Sequence, residues 1–451
     1  MSKKIQSIIW ISKDIPESLI ETIKKYQDSK IKVDLLVSSN STKKIEGVKH
    51  INKEELYQKI INKTNNKVPK DVIEFALFSK DFLKKINTID TGTHRNAAIL
   101  STVGQKFIFS DDDVLCQFHK IKNNERKIKL DMNDIRTRYF ENKNILDLII
   151  DYKKELNLKE LIDSHEYLLN LILPEKNMKV LSTMTGVHGE SVSDTPKGLL
   201  RRVHTKNKED LYKEAKINRL LLSYSENYLI RKKPHFVSMY SAFNNEEILP
   251  PFFPIARNQD GIFAAAMMAC MPNSMIGQVP WVAKHQPFPA RNYKKGEISN
   301  YRFKLNTLIV SLLNSYSKSE YTNKKNTENL NIGDNRYKEV GEYLEKFANK
   351  NNDDFINFIQ KYISTNIDKA TLSLGKFLVS NNNYSEEWQR DIRKYLLNAQ
   401  EYKKSSQFGI PHELINENRS FSENIELTKS LISMYGKLLK HWPEIVNSMK
   451  K

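Results

Sequence analysis

The first 37 residues constrain the fold most. Ile5 to Ile11 (IQSIIWI) is short, branched and apolar, the composition of a buried strand. Pro16-Glu17-Ser18-Leu19 opens a helix reaching about Tyr26, with proline near the first turn, where its missing N–H costs nothing. Lys32 to Val37 (KVDLLV) is a second strand, running into the polar loop Ser38 to Thr42. Strand, helix and strand at this spacing form a βαβ unit. It predicts a parallel sheet with ligands at the carboxyl ends of its strands.

A third strand carries the most conspicuous chemistry. Lys106-Phe107-Ile108-Phe109 is aromatic and branched, and Ser110-Asp111-Asp112-Asp113-Val114 follows it. Three adjacent carboxylates beside an apolar strand repel one another. A bound Mg²⁺ or Mn²⁺ relieves that repulsion through hard oxygen ligands and leaves positions for a substrate's phosphates; a solvated turn is the plainer reading. Upstream, Thr91-Gly92-Thr93-His94-Arg95-Asn96-Ala97-Ala98-Ile99-Leu100 reads as a glycine-containing turn entering a helix. That places Arg95 in the first helical turn, near the same sheet edge.

A chain of 451 residues is too long for one ordinary core. Its 39% hydrophobic content excludes a wholly disordered chain, and the net charge of +18 points to an acidic or phosphorylated partner. Two isolated cysteines, Cys116 and Cys270, make neither a disulfide framework nor a zinc site. With Lys3 and Lys4 followed by only a short apolar run, the N-terminus does not read as a secretory signal. The longest apolar run, Ile262 to Met271, is about half a membrane span. The expectation is a cytoplasmic protein, attached at most to a membrane surface.

Residues 51–86 read as lysine-rich helices interrupted near Pro69, and residues 144–173 as a long helical pattern. His165-Glu166 on that pattern has no second histidine at metalloprotease spacing and reads as a core or capping pair. Met184 to Leu200, with three glycines, His188, Glu190 and Asp194, reads as a loop and candidate site wall. The proline-rich run 250–254 leads into a helix from about Gly261, with Asp260 at its N-cap. Gly277 to Pro287 is a short strand with His285 near its end. Beyond residue 300 the chain reads as successive helices, with exposed connections at 323–335 and 380–385. In the last helix Leu427, Leu431, Met434, Leu438 and Trp442 form one apolar line. Such a basic amphipathic helix suits an anionic membrane surface or packing on its own domain.

Together, GTHRNAA before a strand, FIFSDDDV at its end, PIARNQDGIF opening a helix and VPWVAKHQP downstream resemble the GT-A fold of nucleotide-sugar glycosyltransferases, closest to the bacterial family-2-like group. The resemblance covers roughly residues 1–290. It implies an α/β fold, a Rossmann-like mixed sheet with flanking helices over 1–295; the residue pattern adds a helical insertion at about 120–180 and an all-helical region over 296–451, which carries no motif of that family. The resemblance also implies that Asp111 and Asp113 hold Mn²⁺ or Mg²⁺ on the diphosphate of a donor, a UDP-sugar being favoured. By the same resemblance Asp112 is expected to touch the ribose, Arg95 to contact the nucleotide, and Asp260 to serve as the base of an inverting hexosyl transfer. His285 would complete the metal shell. The acid that usually follows the second strand is replaced by Ser38-Ser39-Asn40, and Asp14 is the nearest acid to read the base.

Two other classes compete. A nucleotidyltransferase of related fold would release pyrophosphate, but no glycine-rich NTP loop stands near the N-terminus. A basic nucleic-acid-binding protein would suit the charge, but the lysines are scattered over no recognisable module, and no nucleic-acid partner is expected. The acceptor, whether glycan, polymer or peptide, is not legible. The helical tail suits acceptor binding, homo-oligomer formation or peripheral membrane contact.

Overall fold

The computed structural model describes residues 4–86, 88–122, 128–129, 136–139, 150, 157–173, 178–190, 212–213, 216–217, 219–232, 236–289, 291, 293–323, 334–380 and 385–450. It is an α/β structure with a mixed sheet of thirteen strands among these residues, flanked by helices and followed by a helical C-terminal region.

The N-terminal unit forms as its pattern predicts. Strand β1 (Ile5–Ile11) is followed by α1 (Glu17–Asp28), β2 (Asp34–Ser38) and the short β3 (Lys49–His50). Helices α2 (Lys53–Thr64), α3 (Lys70–Leu77), α4 (Lys80–Lys85) and α5 (Thr91–Ser101) lead to β4 (Lys106–Asp111). Asn52 starts α2 by accepting the Glu54 and Glu55 N–H groups, which satisfies donors that the helix cannot pair internally. β1, β2, β3 and β4 are parallel, in the order β3-β2-β1-β4. The chain therefore leaves β1 on one side and returns on the other, which opens a crevice at the carboxyl ends of β1 and β4.

Beyond β4 come β5 (Val114–Lys120), β6 (Ile128–Lys129), β7 (Arg136–Tyr139), α6 (Leu158–Leu169), β8 (Ile172–Leu173), β9 (Met178–Glu190), β10 (Leu220–Tyr224), β11 (Tyr228–Arg231) and β12 (Tyr240–Asn244). Helix α7 (Gln259–Cys270) and β13 (Ser274–His285) complete the sheet region. β12 joins β4 antiparallel and passes the sheet on to β9 and β13.

Three expectations change here. The expected insertion at about 120–180 is not purely helical, since its described residues include β6, β7 and β8. Its long helical pattern is the single helix α6 among the described residues, and Ile150 forms a bridge with Ile121. Met184 to Glu190 is central strand rather than loop; the remainder of that expected loop, 191–200, lies outside the described residues. Its glycines permit close approach: a Cβ on Gly186 would lie 2.3 Å from the Ser223 carbonyl oxygen, and one on Gly189 2.3 Å from that of His285.

The tail comprises α8 (Leu305–Asn323), α9 (Asp334–Ala348), α10 (Asn352–Ser380), α11 (Glu386–Lys403) and α12 (Phe421–Met449). The expected connections at 323–335 and 380–385 fall mainly outside the described residues. α12 starts with a capping box between Ser420 and Glu423. Leu427, Leu431, Leu438 and Trp442 are buried against the rest of the chain, so the apolar line of this helix is spent on its own fold. Its Tyr435 hydroxyl donates to the Pro251 carbonyl at 3.0 Å and its Trp442 indole to Leu249 at 2.6 Å. One hydrophobic core runs from β4 through α5 and α7 into α9 and α12. α9 and α12 cross backbone to backbone: a Cβ on Gly341 would lie 2.4 Å from the Gly436 carbonyl oxygen. Among the described residues no helix is long and apolar enough to cross a membrane.

Candidate active site

The sheet register assembles the site. Ile11, the last residue of β1, pairs with Ser38 on one side and Asp111 on the other, which levels three carboxyl ends. Asp111 ends β4, and Asp112 and Asp113 form the turn into β5. The turn sends the three side chains to different partners.

Asp111 accepts from Arg95 Nη2 at 2.8 Å, and the other terminal guanidinium nitrogen, Nη1, donates to Asp260. Arg95 lies in the second turn of α5 rather than the first, because the helix already begins at Thr91 after Asp90. Gly92 makes this placement possible, since a Cβ there would lie 2.0 Å from the Phe253 carbonyl oxygen. Arg95 is only 5% exposed, so it acts in this structure as a buried counter-ion. Burial opposes its charge, but Asp260 and Asp111 outweigh that and raise its pKa further. Asp260 sits in the first turn of α7 rather than at its cap, which Asn258 occupies with φ +62°. The Ser238 hydroxyl and backbone N–H also donate to Asp260, the latter at 3.1 Å. Its side chain keeps 19% of its surface in solvent.

Asp113 has a different set of partners. Its Oδ2 accepts from Arg291 Nη2 at 2.8 Å and lies 3.1 Å from His285 Nε2. The other ring nitrogen of His285 donates to the Glu190 carbonyl at 2.7 Å. Burial disfavours the imidazolium, but the hydrogen bond and charge of Asp113 raise the His285 pKa above its usual value. In turn burial raises, and His285 and Arg291 more than offset it for, the Asp113 carboxyl, which stays below its usual range. Asp112 Oδ2 meets the Ser12 hydroxyl, which also lies against the Asp14 backbone carbonyl. Burial pushes Asp112 up to about 6, against that hydrogen bond. Asp14 itself is exposed on the loop after β1, beside this contact.

Of the residues expected from sequence, Arg95, Asp111 and Asp260 form one linked group and Asp113 with His285 a second, joined through the 111–113 turn. Asp14 borders the crevice without a side-chain bond to either. Sequence reasoning missed Ser12, Ser238 and Arg291. Neither Arg291, one more cation in a basic chain, nor Ser238, whose place comes from the approach to β12, is marked by its sequence surroundings.

Among the described residues no group of three or more His, Cys, Asp or Glu side chains is arranged to hold a metal ion. His285, expected as a ligand, donates one ring N–H to the Glu190 carbonyl and turns Nε2 toward Asp113 Oδ2, the manner in which a ligating imidazole is held. With it stands a pair of carboxylates, Asp111 and Asp113. That pair suits a Mg²⁺-like ion taking one or two protein carboxylates, with water and substrate phosphate completing its shell. The electrostatics agree. Burial pushes Asp111 up to about 7, Arg95 opposes this, and the charges of Asp113 and Asp260 add to the rise. A cation would act as Arg95 does and favour the charged form of this buried carboxylate. No protein-family model, curated protein or solved structure matches the chain.

Proposed function

We propose that this chain is a metal-dependent GT-A-type glycosyltransferase that moves a sugar, hexose being favoured, from a nucleotide donor, UDP-sugar first, to an acceptor. The observation that carries the reading is the linkage of Asp111 to Asp260 through one buried arginine, at the carboxyl ends of the paired strands β1 and β4. Ligands of open α/β sheets bind outside such carboxyl ends. The antiparallel β12 beside the parallel strands also suits a GT-A sheet.

In this reading Asp111 and Asp113, with His285 beside Asp113, would hold a divalent cation where the donor's diphosphate binds. The ion supplies charge neutralisation for the departing nucleoside diphosphate. Asp260, anchored by Ser238 and Arg95, takes the proton of the acceptor nucleophile as it attacks the anomeric carbon with inversion. Arg95 fixes the spacing between the donor carboxylate and the base, and Ser12 with Asp112 and Asp14 lines the ribose and base side.

The test is hydrolysis and transfer with a panel of nucleotide sugars, with EDTA and after adding back Mn²⁺ or Mg²⁺. Loss of turnover in EDTA and in Asp113→Ala is expected. Asp260→Asn should abolish transfer yet still bind the nucleoside diphosphate. Metal-independent turnover, or an Asp113→Ala enzyme of full activity, would sink the proposal.

A further inference from the structure

Two arginines grip the aspartate turn, and they differ in kind. Arg95 is buried and divides its guanidinium between two carboxylates. The side chain of Arg291 is 36% exposed and makes one side-chain hydrogen bond among the described residues, to Asp113. It also lies outside the named helices and strands, past the end of β13. A half-buried arginine on a single carboxylate keeps part of its guanidinium in solvent, where another anion can reach it.

The backbone of Arg291 is better held than its side chain. Its N–H donates to Glu190 Oε2 at 3.0 Å. Glu190 is itself buried, and its backbone carbonyl accepts from His285. Its second carboxylate oxygen, Oε1, is buried and pairs with Arg219, whose Nε lies 4.0 Å away. One residue at the end of β9 thus anchors both groups that touch Asp113.

We propose that Arg291 is a phosphate-binding residue which leaves Asp113 for the donor's diphosphate, and that Glu190 is its positioning residue. The inference rests on the glycosyltransferase reading above. A cation on Asp113 would repel the guanidinium, and the diphosphate oxygens offer it a bidentate partner. The exchange makes Asp113 available as phosphate arrives, so ion and nucleotide bind in concert.

Calorimetric titration tests this with inorganic pyrophosphate, a panel of nucleoside diphosphates and the matching nucleosides, each with and without Mg²⁺. Arg291→Ala should weaken every phosphate-bearing probe at least about tenfold, the scale of one charge-assisted hydrogen bond, and leave nucleosides unchanged. Arg291→Lys should restore part of the loss. Glu190→Ala should weaken the same probes, and Glu190→Gln, which keeps an acceptor oxygen, should recover most of it. Equal diphosphate affinity in Arg291→Ala and wild type overturns the inference alone, as does a loss shared equally by nucleosides. A wild-type chain that binds no nucleoside diphosphate under either condition overturns the glycosyltransferase reading, and the inference with it.

Discussion

Arg95 and Asp260, far apart in the chain, meet through a guanidinium–carboxylate hydrogen bond, and the same guanidinium holds Asp111 at 2.8 Å. Removing a shared counter-ion leaves partly buried carboxylates facing each other, which costs more than the pairing itself contributes. Arg95→Met is therefore expected to lose about 3 kcal/mol of stability in urea unfolding. A loss below about 1 kcal/mol would show that solvent already screens this group.

Gly92 tests how α5 is placed. Its absent side chain leaves room for the Phe253 and Pro254 backbone, and Thr93 N–H donates to the Pro254 carbonyl at 3.1 Å. Gly92→Ala should lower stability by about 1–3 kcal/mol, as overpacking does. It should also displace Arg95 and reduce nucleotide turnover. The paired measurement is a thermal melt with an activity assay; unchanged values in both would refute the packing argument.

His165 predicts acid sensitivity. Burial pushes it down to about 3, below the usual 6.5, and its Nδ1 lies 2.7 Å from Thr183 Oγ1. The unfolded chain takes up this proton first, so the histidine's contribution is complete above pH 6.5 and is lost as pH falls toward 3. At pH 5 the cost is about 2 kcal/mol, at 1.36 kcal/mol for each pH unit. Comparing unfolding at pH 8 and pH 5, His165→Gln should lose about 2 kcal/mol less than wild type does. Equal pH dependence in the two proteins would place the sensitive group elsewhere.

Trp442 joins the tail to the sheet region. It is fully buried and donates to the Leu249 carbonyl. Trp442→Ala should cost about 3–5 kcal/mol and shift one cooperative transition, not split it. Separate transitions by fluorescence and far-UV dichroism would show that the tail unfolds alone.

Local pattern made much of this molecule legible. β1 spans the expected Ile5–Ile11, and Arg95, Asp111 and Asp260 do meet. What the sequence could not carry was register and close approach. Gly186 and Gly189 looked like loop residues because glycine marks both turns and tight strand contacts, and only the neighbouring Ser223 and His285 carbonyls tell the two apart. The second contact of His285, the Glu190 carbonyl, was not legible either, because it is a backbone atom that no side-chain motif records. Arg291 was hidden for a related reason: one more cation in a basic chain carries no mark until Asp113 is found beside it.

The glycine crossing of α9 and α12 bears on ancestry. At both Gly341 and Gly436 a first side-chain carbon would enter the other helix's backbone, at 2.4 Å and 2.7 Å from a carbonyl oxygen. Most surface positions of a helical tail can drift without penalty, but these two cannot drift independently of the helix pair. A distant relative sharing this tail should retain the two glycines after the rest of its helices have diverged. Their pairing offers a fingerprint for kinship where overall similarity has faded.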